Sequence, residues 1–257
     1  MILQRLATSI RKQDWFTVLI ETLIVVFGVF IGIQLGNWNE SRAGQRLGEE
    51  YVERLIVDLR ADLYGAQNLA HYYAEVLEAV IETDRLLSLP DPDERDLVIN
   101  AYRATEIALW PQSKATWEQI VSSGHLSLLP DRVDLEPLNL YFGYDQSYET
   151  YEVLENSDYR KVVRSLIPIT VQMEIRAGCS DIVDNLGSVQ GFVDPCDINV
   201  SPEVLAATAE RLKSDSRVIE ALGFQFSELQ SALNNLNGNI GYIEKSISTL
   251  SDIEAPE

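Results

Sequence analysis

Between Trp15 and Trp38 the chain reads WFTVLIETLIVVFGVFIGIQLGNW, interrupted only by Thr17, Glu21, Thr22, Gln34, Asn37 and three glycines. No other stretch limits the fold so strongly, because apolar surface on every side of a helix has to be covered by lipid or by a large core. Its 23 steps make about 34 Å of helix at 1.5 Å per residue, against a hydrocarbon core of roughly 30 Å. Trp15 and Trp38 stand where the two aromatic belts of a bilayer would fall. A cleaved leader would have a shorter apolar core followed by small residues of the A-x-A kind. This run is longer and closes on Gln34-Leu35-Gly36-Asn37-Trp38. The expectation is an uncleaved transmembrane helix over 15–38, behind a short cytoplasmic arm, 1–14.

The arm carries Arg5, Arg11 and Lys12, whereas Arg42 and Arg46, with Arg54 further out, follow the apolar run. The positive-inside rule counts basic residues and gives a small margin for an amino terminus in the cytoplasm. Within the run, Gly28, Gly32 and Gly36 recur every four residues, with Thr17 and Glu21 on the same side of the helix. Such a small-xxx-small face lets a second helix approach closely, with Glu21 protonated or paired across it. The plain alternative is that glycine is common in membrane helices and Glu21 snorkels to the interface.

Charge divides the chain. Three basic residues (Arg5, Arg11, Lys12) and three acidic ones (Asp14, Glu21, Glu40) cancel in the first 40 positions, so the net charge of −20 belongs to 41–257. A field of that sign repels nucleic acid and anionic headgroups, so any soluble partner is expected to be cationic rather than anionic. Cys179 and Cys196 are the two cysteines. In a reducing compartment they read as free thiols, and in an oxidising one as a disulfide closing a loop.

Past the anchor no proline occurs before Pro90, so the helix is expected to run on. Val52, Ile56, Leu59, Leu63, Ala66, Ala70, Tyr73, Leu77, Val80 and Leu87 fall on a 4-3 stripe, broken at Asp84. Gly44, Gly48 and Gly65 are soft points in it, and Gly44 with Gly48 reads as a hinge just outside the membrane. Leu89–Asp93 is a proline-bearing turn. Helices are expected over 94–109, over 114–123 from an Ser113 cap, and from Asp131 or Asp134 through Tyr141, Tyr144, Tyr148 and Tyr151 to Ile167. That tyrosine row reads either as a ligand pocket or as a half-buried packing face. Residues 177–200 form a loop-rich insert. Ser201-Pro202-Glu203 opens a helix. The last helix carries Leu222, Phe226, Leu229, Leu233, Leu236, Ile240, Ile243, Ile247 and Leu250 on an unbroken 4-3 stripe. Its outer positions hold Ser, Asn, Gln and Gly, which argues for packing in a bundle, antiparallel to 52–87, over an autonomous zipper. The fold class expected is all-α: a transmembrane helix continuing into an elongated antiparallel bundle with coiled-coil-like packing, the acidic domain spanning 39–257.

The search for chemistry returns no catalytic, cofactor-binding or metal-ligating set. His71 and His125 form no HExxH, and G-x-S-x-G, phosphate-loop and CxxC motifs do not occur. His71 and Glu75 share a helix face without completing a metal site. Asp58 and Asp62 are expected to pair with Arg54 or Arg60 or to face water. Asp181, Asp184, Asp194 and Asp197 lack the spacing of a calcium loop. No enzyme activity and no cofactor are expected.

The basic arm followed by an apolar run closing in GVFIGIQLGNWNE resembles the anchor of a widespread bacterial family of uncharacterised proteins, as do EEYVERLIVDLRADL and, more loosely, ATWEQIVSSGHLSLLP. The resemblance implies a single-pass inner-membrane protein, amino terminus inside, with a helical periplasmic domain. It implies no activity. Two roles follow: an interaction or scaffold protein that associates with itself or a partner helix through its anchor, or a ligand-sensing module. With only a short arm before the anchor, a sensor would have to signal through another subunit.

Overall fold

A computed structural model describes residues 15–254, with side chains over 19–252. The basic arm and the side chains of Trp15 and Thr17 therefore lie outside the described residues. One helix, α1 (Trp15–Leu87), runs for 73 residues without interruption, about 108 Å at the helical rise. Around its second half pack α2 (Glu94–Arg103), α3 (Ala115–Ser122), a 3-10 turn (His125–Leu128), α4 (Leu135–Phe142), α5 (Gln146–Glu155), α6 (Asp158–Leu166) and α7 (Ile169–Gly178). A two-stranded antiparallel hairpin follows, β1 (Asp181–Val183) and β2 (Val189–Phe192), then α8 (Pro202–Ser214) and α9 (Ser216–Glu254). The class is all-α, and α9 lies along α1 as the 4-3 stripes require.

The buried face of α1 is wider than its stripe. Leu55, Leu69, Tyr72 and Val76 lie off the 4-3 positions and are as buried as Leu59 and Tyr73 on them. Helices and strap residues cover α1 on more than one side, so it is a central post rather than one half of a zipper. On α9, Leu222, Leu229, Leu236, Ile243 and Leu250 are buried at every seventh residue, while Phe226 is 39% exposed. The column Val218, Gln225, Ala232 and Ser246 is buried as well, while Leu233 and Ile247 of the stripe are half-buried against the core. The helix packs on α4–α6 as well as on α1, and the Gln225 amide donates to the Ala104 carbonyl at the end of α2 at 3.0 Å.

Two apolar clusters sit along α1, one around Tyr51–Leu59 with Trp117, Leu138 and Ile243, the other around Leu69–Leu86 with Leu97, Val163 and Leu212. The helix expected over 94–109 stops at Arg103. Residues 105–114 cross α1 as an extended strap. Tyr73 donates its hydroxyl to the Ala108 carbonyl at 2.8 Å, and the Trp110 indole lies on Gly65. Ser113 does not cap α3. Its N–H goes to Asp62 instead, and α3 starts at Ala115 without a side-chain cap. The long helix expected from Asp134 to Ile167 is three helices. Asp145 and Ser157 accept from the N–H groups of Tyr148 and Arg160 and start new ones. The tyrosine row is thereby taken apart, Tyr141 buried and Tyr144 exposed, so it forms no continuous face, and of the four Tyr141 alone lines a small cavity, beside Asp62 and Trp110.

The hinge expected at Gly44 and Gly48 is a packing site. Leu128 lies across both, 3.3 Å from the Cβ position of Gly44 and with its carbonyl in the space a Cβ of Gly48 would need. The missing side chains admit the 3-10 turn against the helix backbone.

Gly65 gives the sharpest test of this packing. Alanine there gains about 1 kcal/mol of helix propensity but drives a methyl into the Trp110 ring, an overpacking cost of about 1–3 kcal/mol. Thermal unfolding of the detergent-solubilised chain should show Gly65→Ala destabilised. Gly223→Ala, where a methyl meets nothing within 4 Å, should be stabilised. The reverse order would refute the assigned contact.

Candidate functional site

The apolar stretch of α1 lies ahead of the packed core. From Leu19 to Ala43 the side chains are exposed, Ile24 and Val25 by 65% each and Trp38 by 57%. This is the one helix among the described residues long and apolar enough to cross a membrane, with a mean hydropathy of 2.2 over its most apolar window. Glu21 is exposed there, and Gly28, Gly32 and Gly36 have nothing within 4 Å of their Cβ positions. Helical periodicity places the three glycines in line with Tyr64, Asn68 and Tyr72, ten turns further along α1. The Arg42 guanidinium lies 4.6 Å from the centre of the Trp38 ring.

Further along α1, four side chains at 4-4-3 spacing face one way and hold the hairpin. Tyr64 donates to Asp184 at 2.5 Å, Asn68 to Ser188 at 3.1 Å and Tyr72 to Asp181 at 2.9 Å, while Glu75 accepts the Phe192 N–H at 2.9 Å. Gly191, at φ 139°, lies against the Glu75 carboxylate, where a side chain would collide. Cys179 and Cys196 are joined in a disulfide at the hairpin's base, closing a loop whose constraint is worth about 3 kcal/mol in the chain-entropy account. Asp181 and Asp184 thus anchor the hairpin, Asp197 pairs with Arg95 at 2.9 Å, and Asp194 lines a cleft.

Next to the hairpin lies a half-buried charge cluster. Arg164 pairs with Glu106 at 3.0 Å and stacks 3.6 Å from the centre of the Tyr102 ring. Arg176 donates to the Tyr102 hydroxyl at 2.7 Å, and Arg160 donates to the Thr105 carbonyl. Burial raises the Glu106 and Asp181 carboxyls, opposed by Arg164 and by the Tyr72 hydrogen bond respectively. Burial also raises the Tyr72 phenol, so it is a neutral donor at ordinary pH and not a base.

Asp62 lies outside both expectations made for it, arginine pairing and solvent. It is 1% exposed and accepts from the Ser113 N–H at 3.0 Å and from the Tyr141 hydroxyl at 2.6 Å. Burial raises its carboxyl and those two donors lower it. Asp58 accepts from Thr116 at 2.5 Å. The aspartates are braces between α1 and the elements that cross it. His71 is 64% exposed beside Glu75, and His125 Nδ1 lies 2.8 Å from the Tyr51 hydroxyl. Among the described residues no three His, Cys, Asp or Glu side chains converge as a metal set would.

A cleft of about 530 Å³ opens where the hairpin meets α1 and α2, lined by Glu75, Glu78, Glu82, Asp194, Arg103 and Phe192. Arg103 is held in place, donating to the Val193 carbonyl at 2.7 Å and lying 5.0 Å from the Phe192 ring centre. With four carboxylates to one guanidinium, this cleft favours cations over anions.

The chain belongs to a family described as of unknown function (DUF6090), which it matches over residues 21–168. That segment includes most of the apolar stretch of α1 and runs to the end of α6, leaving α7, the hairpin, α8 and α9 outside it. No curated protein and no solved structure matches the chain.

The hairpin contact is testable through its pH dependence. The Tyr64 hydrogen bond is the main cause holding the Asp184 carboxyl below its ordinary range. A depressed folded-state pKa adds stability above the unfolded value of about 3.9 and loses it as pH falls through the folded one. Tyr64→Phe should therefore lower Tm at pH 7, and the gap should close on acidification. A gap that persists or widens would show that the hydroxyl does not act through Asp184.

Proposed function

We propose that the protein is a single-pass membrane-anchored scaffold or accessory protein, held by the first half of α1 in the inner membrane. Its amino terminus is cytoplasmic and its acidic helical domain extracytoplasmic. The observation that carries this reading is the abrupt change of environment along one continuous helix. Between Leu19 and Trp38 thirteen large apolar side chains are exposed, whereas from Gly48 onward the same helix is embedded in a core. Burial of such side chains is worth about 1.5–3 kcal/mol each, so the uncovered surface represents on the order of 20 kcal/mol, more than the net stability of a typical domain. A bilayer covers it at the right thickness.

The Gly28, Gly32 and Gly36 face, with Glu21 beside it, is the proposed packing surface for a partner membrane helix. It lies on the exposed stretch of α1, ahead of the first packed glycines at Gly44 and Gly48. An oxidising compartment is consistent with the Cys179–Cys196 bridge. No step of the role requires chemistry at the domain surface. The polar side chains inside it hold elements together.

Alkaline carbonate washing of membranes tests the anchor. The chain should remain in the pellet, and an impermeant reagent should reach residues in 41–257 from the extracytoplasmic side. Recovery in the supernatant, or labelling only after lysis, would contradict the anchor or its orientation respectively. Gly32→Leu should at least halve co-purification of a partner membrane helix. An unchanged yield would remove the glycine face from the account.

A further inference from the structure

Over the middle stretch of α9 the exposed residues are all uncharged, and the half-buried Glu228 is the one charged side chain in it. From Ser227 to Tyr242 the exposed residues are Ser227, Gln230, Ser231, Asn234, Asn235 and Asn237, then Gly238, Gly241 and Tyr242. The rest of the domain surface has to accommodate a net charge of −20, and soluble surfaces ordinarily place charge at about a quarter to a third of positions. An uncharged face about 22 Å long at the helical rise is the opposite of what solubility favours. Burial inside the bundle would account for such a composition. The structure removes that explanation: these positions face solvent, and Gly238 and Gly241 have nothing within 4 Å of their Cβ positions.

We infer that this face is where a second copy of the chain docks, α9 against α9 in parallel. The occupant follows from charge and chemistry. Two copies, each strongly acidic, repel wherever their carboxylates meet, and this face is one on which they can approach without like-charge contact. A face dominated by one sign of charge cannot be its own complement. Amides and hydroxyls can, because each both donates and accepts, and a two-fold interface requires self-complementarity. Ser227, Ser231, Asn234, Gly238, Gly241, Lys245 and Ser248 fall on a second 4-3 stripe, the spacing of a parallel two-helix seam. The single charge in that seam, Lys245, is paired with Asp134 at 3.2 Å.

A contact of this length is small by the standard of stable complexes. It gains its strength from confinement of both copies to one bilayer, which raises their effective concentration, and in that respect rests on the anchored reading. Parallel α9 helices also require both copies to stand the same way up, as two chains inserted in one membrane do. The dimer would place each α1 behind its own α9, leaving the glycine faces free for a different contact.

The test is oxidative cross-linking of the full chain in native membranes, with the wild-type chain setting the background. Asn234→Cys and Gly238→Cys, which sit on the seam, should each give a disulfide-linked dimer. Asp158→Cys, exposed by 88% on α6, should stay at background. Adding Gln230→Glu and Asn237→Glu to the Asn234→Cys chain should cut the dimer yield at least threefold by like-charge repulsion. Background yield at both seam positions would overturn the proposal, as would a yield indifferent to the added charges or equal to that of Asp158→Cys. Dimer through Gly32→Cys alone would also overturn it while leaving the membrane packing face standing. Carbonate fractionation of the same samples reports separately on the anchor.

Discussion

Leu128, its side chain on Gly44 and its carbonyl on Gly48, decides how the rest of the molecule behaves. Between Trp38 and the first full core layer at Tyr51, α1 has only a few residues in which to bend. Two of them are glycines, which by propensity alone would make a joint. With Leu128 seated on them the helix is braced where it leaves its apolar half. The 3-10 turn is in turn held by the Tyr51–His125 contact and by the packing of Leu129 in the cluster around Tyr51–Leu59. The apolar stretch of α1 and the domain thus become one mechanical element.

The polar interior serves the same end. Asp58 and Asp62, Tyr64 and Tyr72, Asn68, Glu75 and Tyr73 all project from α1 and bond to the strap, the hairpin or the helices α3 and α4 that pack on it. Irregular segments carry backbone groups that no helix satisfies, and here many of those groups are taken up by side chains of the post. A half-buried pair such as Arg164 with Glu106 adds little net stability, since desolvation offsets much of the attraction. Its geometric effect, fixing α6 against the end of α2, is what the arrangement supplies.

How much of this was legible beforehand depended on the kind of signal. Periodicity is local and strong, so α1, α9 and the all-α class could be read from the spacing of apolar residues, and the start of α8 from Ser201-Pro202-Glu203. Capping signals were present at Asp145 and Ser157, but the helical spacing of Tyr141, Tyr144, Tyr148 and Tyr151 masked them. Asp62 carries no mark in the sequence that separates it from a solvated acid, because its partners are 51 and 79 positions away. The glycines misled for a related reason: a missing Cβ lowers helix propensity, and only the neighbour that fills the space reveals its use. The hairpin has strands of three and four residues, too short for an alternation to show. The uncharged composition of outer α9 was visible, but its exposure was not.

The central claim, that α1 passes rigidly from its apolar half into the domain, is open to one direct measurement. Spin labels at Glu40→Cys and Ala61→Cys flank the Leu128 brace, and the native cysteines are bonded to each other and do not compete for label. In lipid nanodiscs a continuous helix predicts a narrow backbone distance of about 32 Å at 1.5 Å per residue, broadened only by the labels. A broad distribution, or a mean several ångströms shorter, would mean that the helix bends at Gly44 and Gly48 after all and that anchor and domain move independently.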